Sequence, residues 1–144
     1  MHALQSTLET NVVAVHNVSS TFIPLLQQEK QKKIVNITST LGSVGLNDYF
    51  KMMPMSSYKI SKTALNMLTV QYANDLDSKG FTVFGINPGW LRTDLGGSDA
   101  DLAPDIGAKA TMDIIYNSTK KDNGASRNIF VAGEQVYNGE NPPW

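Results

Sequence analysis

Three short stretches of this sequence hold side chains able to move a proton or pin a reacting group: Ser39, Tyr58 with Lys62, and Pro88, Gly89 and Thr93. Tyr58 and Lys62 stand four positions apart, which on a helix of 3.6 residues per turn sets both side chains on nearly one face. An ammonium beside a phenol favours the phenolate. Lys62 is therefore expected to lower the Tyr58 pKa from its reference of about 10 toward the working pH, as a general acid or base requires.

Taken singly, each group has a structural explanation. Ser39 can cap a turn, Tyr58 and Lys62 can be a surface pair, and Pro88 with Gly89 can simply end a strand. Tyr116 and Lys120 repeat the tyrosine–lysine spacing at a helix end with no serine after a strand beside them, and read as solvated surface. Ser56 and Lys59 match S-x-x-K, but no S-D-N or K-T-G accompanies them, so acyl-enzyme chemistry is set aside. Met52, Met53 and Met55 could line a substrate pocket or fill gaps with flexible thioethers.

The elements that position these groups follow from apolar periodicity. Leu4, Leu8, Val12, Val15, Phe22 and Leu26 recur at helical spacing and predict one buried face on a long helix ending near Gln28, kinked at Pro24. Ile34 to Ile37 reads as a buried strand and Thr40 to Ser56 as loop. Leu65, Leu68, Tyr72 and Leu76 mark a second helix that starts near Ser57 and ends at Lys79 and Gly80, a cation followed by a left-handed cap. Phe81 to Ile86 is the second expected strand. Pro104 opens a third helix through Ile115, and a last strand is expected near Ile129 to Ala132.

This alternation predicts an α/β fold with a parallel sheet, right-handed crossovers and helices on the sheet faces. In such sheets ligands lie beyond the carboxyl ends of the strands. Ser39 follows the first strand, Tyr58 and Lys62 open the next helix, and Pro88 to Thr93 follow the second strand. All three groups are thus expected on one rim.

Composition narrows the chemistry further. The 144 residues carry 12 Lys plus Arg against 13 Asp plus Glu, a formal charge of −1, so bulk electrostatics draws the chain to neither nucleic acid nor anionic membrane. A hydrophobic share of 41% with 17% charged residues is that of an ordinary globular chain, and a single domain over residues 1–144 is expected. The absence of cysteine removes disulfides, thiol nucleophiles and cysteine-ligated metals, and the separated His2 and His16 do not form a zinc site by themselves. No metal is expected. No apolar run approaches the ~20 residues that span a bilayer, and the start is polar and helical rather than signal-like, so a cytoplasmic protein is expected, with the sequons at Asn17, Asn36 and Asn117 arising by chance.

The motifs I-V-N-I-T-S from Ile34 to Ser39, Y-K-I-S-K from Tyr58 to Lys62 and N-P-G-W-L-R-T from Asn87 to Thr93 resemble those of the short-chain dehydrogenase/reductase family. The G-W-L-R-T-D-L-G-G run and the G-E-N-P-P-W ending are similar to its subgroup of C-factor, sniffer-like carbonyl reductases and fungal ketoreductases. The resemblance implies a doubly wound, Rossmann-like fold and NAD(P)H-dependent reduction of a carbonyl, or the reverse alcohol oxidation, on a small molecule. It implies Tyr58 as proton donor, Ser39 as the hydrogen-bonding partner of the carbonyl, and Lys62 as the group that lowers the tyrosine pKa and holds the ribose hydroxyls. Asn11, in E-T-N-V, matches the helix asparagine of the family's proton relay. Pro88, Leu91 and Thr93 would shape and hydrogen-bond the nicotinamide end of NADP or NAD, with NADP the slightly preferred cofactor.

The chain departs from that pattern at its front. No G-x-G occurs, and the family's acidic or basic cofactor selector and N-A-G segment have no counterparts. The expectation is a partial fold, the catalytic half, with the N-terminal strands missing and its first strand an unpaired edge. Without the helix N-terminus that binds the diphosphate, cofactor affinity is expected to collapse. Two functions stay open: a reductase by descent, and a catalytically inactive fragment acting as a dimerisation or interaction module. The helices containing Asn11 and Lys62 are those through which a homodimer would form.

Overall fold

The computed structural model describes residues 2–144. Three parallel strands, β1 (Lys33–Ile37), β2 (Thr82–Asn87) and β3 (Ser126–Asn128), form a sheet in the order β1-β2-β3. Ile34 pairs with Val83, Ile37 with Ile86, and Asn87 with Asn128. α3 (Ser56–Leu76) crosses from β1 to β2, and α4 (Pro104–Asn117) crosses from β2 to β3.

The two faces of the sheet carry separate apolar clusters because alternate residues of a strand point to opposite sides. Val83 joins Ile34, Ala73, Leu76 and Phe81, with Ile23, Leu26 and Tyr72 packed against them. Phe84 and Ile86 join Leu102, Ala110, Ile129 and Tyr137, with Ile114 and Ile115 of α4 alongside. β2 is buried along its whole length, as a strand covered on both faces must be. β1 is the edge expected of it and is only partly covered, with Ile37 47% exposed. Partial Rossmann-like architecture follows from the α/β alternation.

Three expectations are corrected. First, the N-terminal helix is not one regular element: α1 (His2–Leu8) and α2 (Ala14–Leu26) are joined by a π-helical turn at Glu9–Val13, where the Ala14 N–H reaches back to the Glu9 carbonyl. The irregular turn therefore lies at Glu9–Val13, whereas Pro24 is accommodated inside α2. Second, Leu4, Leu8, Val12, Val15 and Leu26 are half-buried but Phe22 is not; it stands 52% exposed with Val18 and Leu25 on the uncovered flank. Third, the last strand is Ser126–Asn128 rather than the apolar run from Ile129. Pro88 has no N–H and ends β2, so Asn128 meets the last ladder partner. Ile129 instead plugs the core, fully buried, and Phe130 bridges back to Asn138.

The buried face of α3 is more polar than its sequence pattern suggests: Ser61, Asn66 and Thr69 lie beside Leu65, Ala73 and Leu76. Ser61, Thr69 and the Asn66 amide nitrogen each find a partner, whereas Asn66 Oδ1 has none among the described residues. Thr69 Oγ1 donates to Leu65 O and accepts from buried Asn36 Nδ2 of β1 at 2.8 Å. The helix ends as the sequence implies, with Gly80 at φ 81° in the left-handed region.

Candidate active site

β1 delivers Ser39 to the rim. The Thr38 N–H extends the ladder with a 2.8 Å bond to Ile86 O, and Ser39 (φ −160°, ψ 146°) then caps a 3-10 turn at Thr40–Gly42, its hydroxyl accepting from Leu41 N at 3.2 Å. That turn is held against α3 by two bonds to one carbonyl: Thr63 Oγ1 and Asn66 Nδ2 donate to Gly42 O at 2.9 and 3.1 Å. Only glycine permits this approach, since a Cβ at position 42 would lie 2.7 Å from the Lys62 backbone carbon and Cβ. The Ser39 turn and the Tyr58–Lys62 turn of α3 are thus pressed together by a backbone contact.

Burial pushes the Tyr58 phenol pKa up, and a hydrogen bond with the Ser39 side chain pulls it back in part. The expectation that Lys62 lowers this pKa is corrected. The Lys62 ammonium sits over the Tyr58 ring, 5.6 Å from its centroid, and donates to Ile37 O at 2.8 Å instead of reaching the phenolic oxygen. Desolvation therefore decides the direction for the phenol, and it also lowers the Lys62 pKa. At neutral pH the phenol is protonated, the form that can donate a proton.

Asn11 lies in the π turn and meets the same helix. Its Nδ2 donates to Ser61 Oγ at 3.0 Å, and Ser61 Oγ donates to Tyr58 O at 2.8 Å, so Asn11 is tied to the backbone of the tyrosine through buried Ser61. A widened turn of this kind recurs at functional sites because it re-aims backbone groups that an α-helix would occupy. Ser61, inside Y-K-I-S-K, was the missed residue here; its position three after Tyr58 was the available signal.

β2 delivers the second half of the rim. Pro88 and Gly89 are half-buried, Gly89 at φ 86°, and Leu91 packs half-buried on the cluster around Ile86. Gly107 of α4 allows this: a Cβ there would meet Leu91 Cδ2 at 2.3 Å. Thr93 is exposed, its Oγ1 accepting from Gly96 N at 3.2 Å.

Ser39, Tyr58, Lys62 and Asn11 are thus tied to one region around the first turns of α3. Pro88, Leu91 and Thr93 lie beyond the adjacent strand end. The pairs set aside stay aside: Tyr116 is 75% exposed, Lys120 caps the end of α3 through Asp77 and Phe81 O, and Lys59 binds Phe50 O. Met52 is 85% exposed, and a cavity of about 580 Å³ lined by Leu41, Val44, Ile60 and Met67 contains none of the three methionines and none of the site residues.

The hydroxyls of Ser39, Tyr58 and Thr93 and the ammonium of Lys62 are a donor set that fits the nicotinamide and ribose end of a dinucleotide. A diphosphate cradle is not among the described residues: every glycine with positive φ lies at position 80 or later, and none sits at the start of a helix after β1. No group of three or more His, Cys, Asp or Glu that could hold a metal occurs among the described residues, and no helix there is long and apolar enough to cross a membrane.

Residues 1–102 match the family model described as short chain dehydrogenase. C-signal of Myxococcus xanthus is 36% identical over 100 residues, covering 69% of this chain and 58% of that protein. The NADPH-dependent pterin aldehyde reductase of Arabidopsis thaliana is 35% identical over 130 residues, covering 86% of this chain and 51% of that protein. Among solved structures, the carbonyl reductase Sniffer of D. melanogaster superposes with a TM-score of 0.86 at 28% identity, covering all of this chain and 58% of its own. The chain spans about half the length of the curated relatives it matches.

Proposed function

Because this chain belongs to the short-chain dehydrogenase family, we propose that it carries the catalytic half of an NADPH-dependent carbonyl reductase acting on a small aldehyde or ketone. The preference for NADPH is supported by the NADPH-dependent relative from Arabidopsis thaliana. The observation that carries the reading is the packing of the Ser39 turn against the Tyr58–Lys62 turn of α3 at the Gly42 contact. When bound, the nicotinamide supplies the hydride that reduces the carbonyl carbon.

The protein's own groups do the rest. Tyr58 donates its phenolic proton to the carbonyl oxygen, and the Ser39 hydroxyl orients that oxygen and stabilises the charge developing on it. Lys62, anchored to Ile37 O, holds a cation at the rim and offers donors to the ribose. Asn11 holds the helix turn beneath the tyrosine through Ser61. Pro88, Leu91 and Thr93 form the wall on the nicotinamide side. Pairing of two copies through the Asn11 and Lys62 helices is supported by Val18, Phe22 and Leu25, each more than half exposed on the outer flank of α2.

The test is NADPH oxidation by the purified chain with aromatic and aliphatic aldehydes, beside Tyr58→Phe. Removal of the proton donor is expected to lower turnover by about 10²- to 10⁴-fold. Retention of activity within threefold by Tyr58→Phe would remove the phenol from the mechanism.

A further inference from the structure

Tyr137 is outside every motif that marks the rim, yet its hydroxyl joins both ends of the segment that carries Leu91 and Thr93. The side chain is 4% exposed within the cluster of Phe84, Ile86 and Ile129. Its hydroxyl donates to Asp101 Oδ2 at 2.5 Å and accepts from the Trp90 N–H at 3.0 Å. Trp90 opens the loop and Asp101 closes it. Beside them, Leu102 N bonds to Trp90 O at 3.1 Å and Arg92 N to Leu102 O at 2.9 Å, so the loop closes at a neck formed by an isolated parallel bridge between Leu91 and Leu102. The tyrosine is itself fixed to the sheet: Val131 N donates to its carbonyl at 2.8 Å, and buried Asn128 of β3 donates to Val136 O at 3.2 Å.

Beyond the neck the loop is internally braced. Gly97 N bonds to Thr93 O at 2.8 Å, Gly96 N to Thr93 Oγ1 at 3.2 Å, and the Trp90 indole N–H to Gly96 O at 2.9 Å. The tip is therefore braced as one unit, joined to the sheet through the neck. We propose that Tyr137 is a positioning residue: by clamping the Trp90 and Asp101 ends of this loop to the sheet, it sets where Leu91 and Thr93 meet the nicotinamide end of the cofactor. The cofactor part of this statement rests on the reductase reading above.

Tyr137→Phe removes the hydroxyl and leaves the ring in the core. Amide hydrogen exchange on the full chain is expected to show protection at Trp90 falling about three- to tenfold, the worth of one hydrogen bond, with the β2 amides of Val83 and Ile86 unchanged. In the same preparations the NADPH dissociation constant is expected to rise about three- to tenfold, and KM for NADPH to rise while kcat stays within about twofold, the signature of lost ground-state placement. Asp101→Asn keeps an acceptor for the phenol and is expected to hold Trp90 protection within twofold. Unchanged exchange at Trp90, an equal fall at Trp90, Val83 and Ile86, or an unaltered NADPH constant beside a loosened Trp90 each overturns the role. Should Tyr137→Phe not fold, Asp101→Ala releases only the loop exit, and faster exchange at Leu102 and Arg92 is expected; unchanged exchange there overturns the clamp. Failure of the unsubstituted chain to bind NADPH overturns cofactor use by this chain alone, and with it the cofactor part of the proposal, while exchange at Trp90 still decides the clamp.

Discussion

Gly42→Ala tests whether a backbone contact, and not side-chain packing, brings Ser39 to Tyr58. The added Cβ would stand 2.7 Å from the backbone carbon and Cβ of Lys62 and 3.0 Å from its carbonyl oxygen. Carbon atoms settle at about 3.5–4.0 Å, so the Thr40–Gly42 turn must retreat from α3 by about 1 Å. Overpacking of this size costs about 1–3 kcal/mol. Against it stands the smaller conformational freedom of alanine in the unfolded chain, about 0.4–1 kcal/mol in favour, since Gly42 is not among the glycines with positive φ. Taking the middle of both ranges, the net is a destabilisation of about 1.3 kcal/mol, read as a lower urea midpoint at unchanged m. The retreat also lengthens the bonds from Thr63 and Asn66 to Gly42 O and draws Ser39 from the phenol, so reductase activity is expected to fall by about 10²-fold, the cost of a 1 Å misplacement. An alanine variant as stable as the parent, with activity intact, would refute the contact argument.

Two further outcomes are expected. Thr69→Val leaves the buried Asn36 amide without its acceptor and should cost about 1–3 kcal/mol in urea unfolding, whereas the double change Asn36→Leu with Thr69→Val should recover most of that loss; equal losses in the two variants would argue against the pair. The Tyr137 phenol is pushed up to about 12, first by burial and then by its hydrogen bond to Asp101. Because the folded pKa exceeds the unfolded value of about 10, its contribution to stability is whole below pH 10 and is lost as pH rises from 10 to 12. Tyrosinate absorbance should therefore show a late step that Tyr137→Phe abolishes, and the variant's stability should fall less steeply over that interval.

Local rules made much of the fold legible. Gly80 after Lys79 stops the helix because the αL position suits glycine, Pro104 starts α4 because the first helical N–H needs no partner, and Phe81, Val83, Phe84 and Ile86 ahead of the Pro88 and Gly89 breakers mark a strand. The misread elements failed for tertiary reasons. The run from Ile129 looked like a strand, but a strand needs a partner edge and β2 had ended at Pro88. Phe22 kept the helical spacing of its neighbours, but periodicity names an apolar face without saying whether anything covers it. The π turn at Glu9–Val13 lies in a stretch whose spacing of apolar residues alone predicts a regular helix.

For the site, motif spacing picked out Ser39, Tyr58 and Lys62 and strand order put them on one rim with Pro88 to Thr93, because in a parallel sheet every strand's carboxyl end faces the same way; Asn11 came from the family resemblance alone. Spacing could not decide the charge state of the phenol. That depends on how much water reaches Tyr58 and on where the Lys62 ammonium points, and both are set by the packing of the Gly42 turn against α3 and by the Ile37 carbonyl. Nor could it find Tyr137, whose partners Trp90 and Asp101 are remote in sequence. Side-chain identity and order along the chain fixed which groups share an edge; desolvation and long-range hydrogen bonds, which exist only once distant segments touch, fixed what those groups can do.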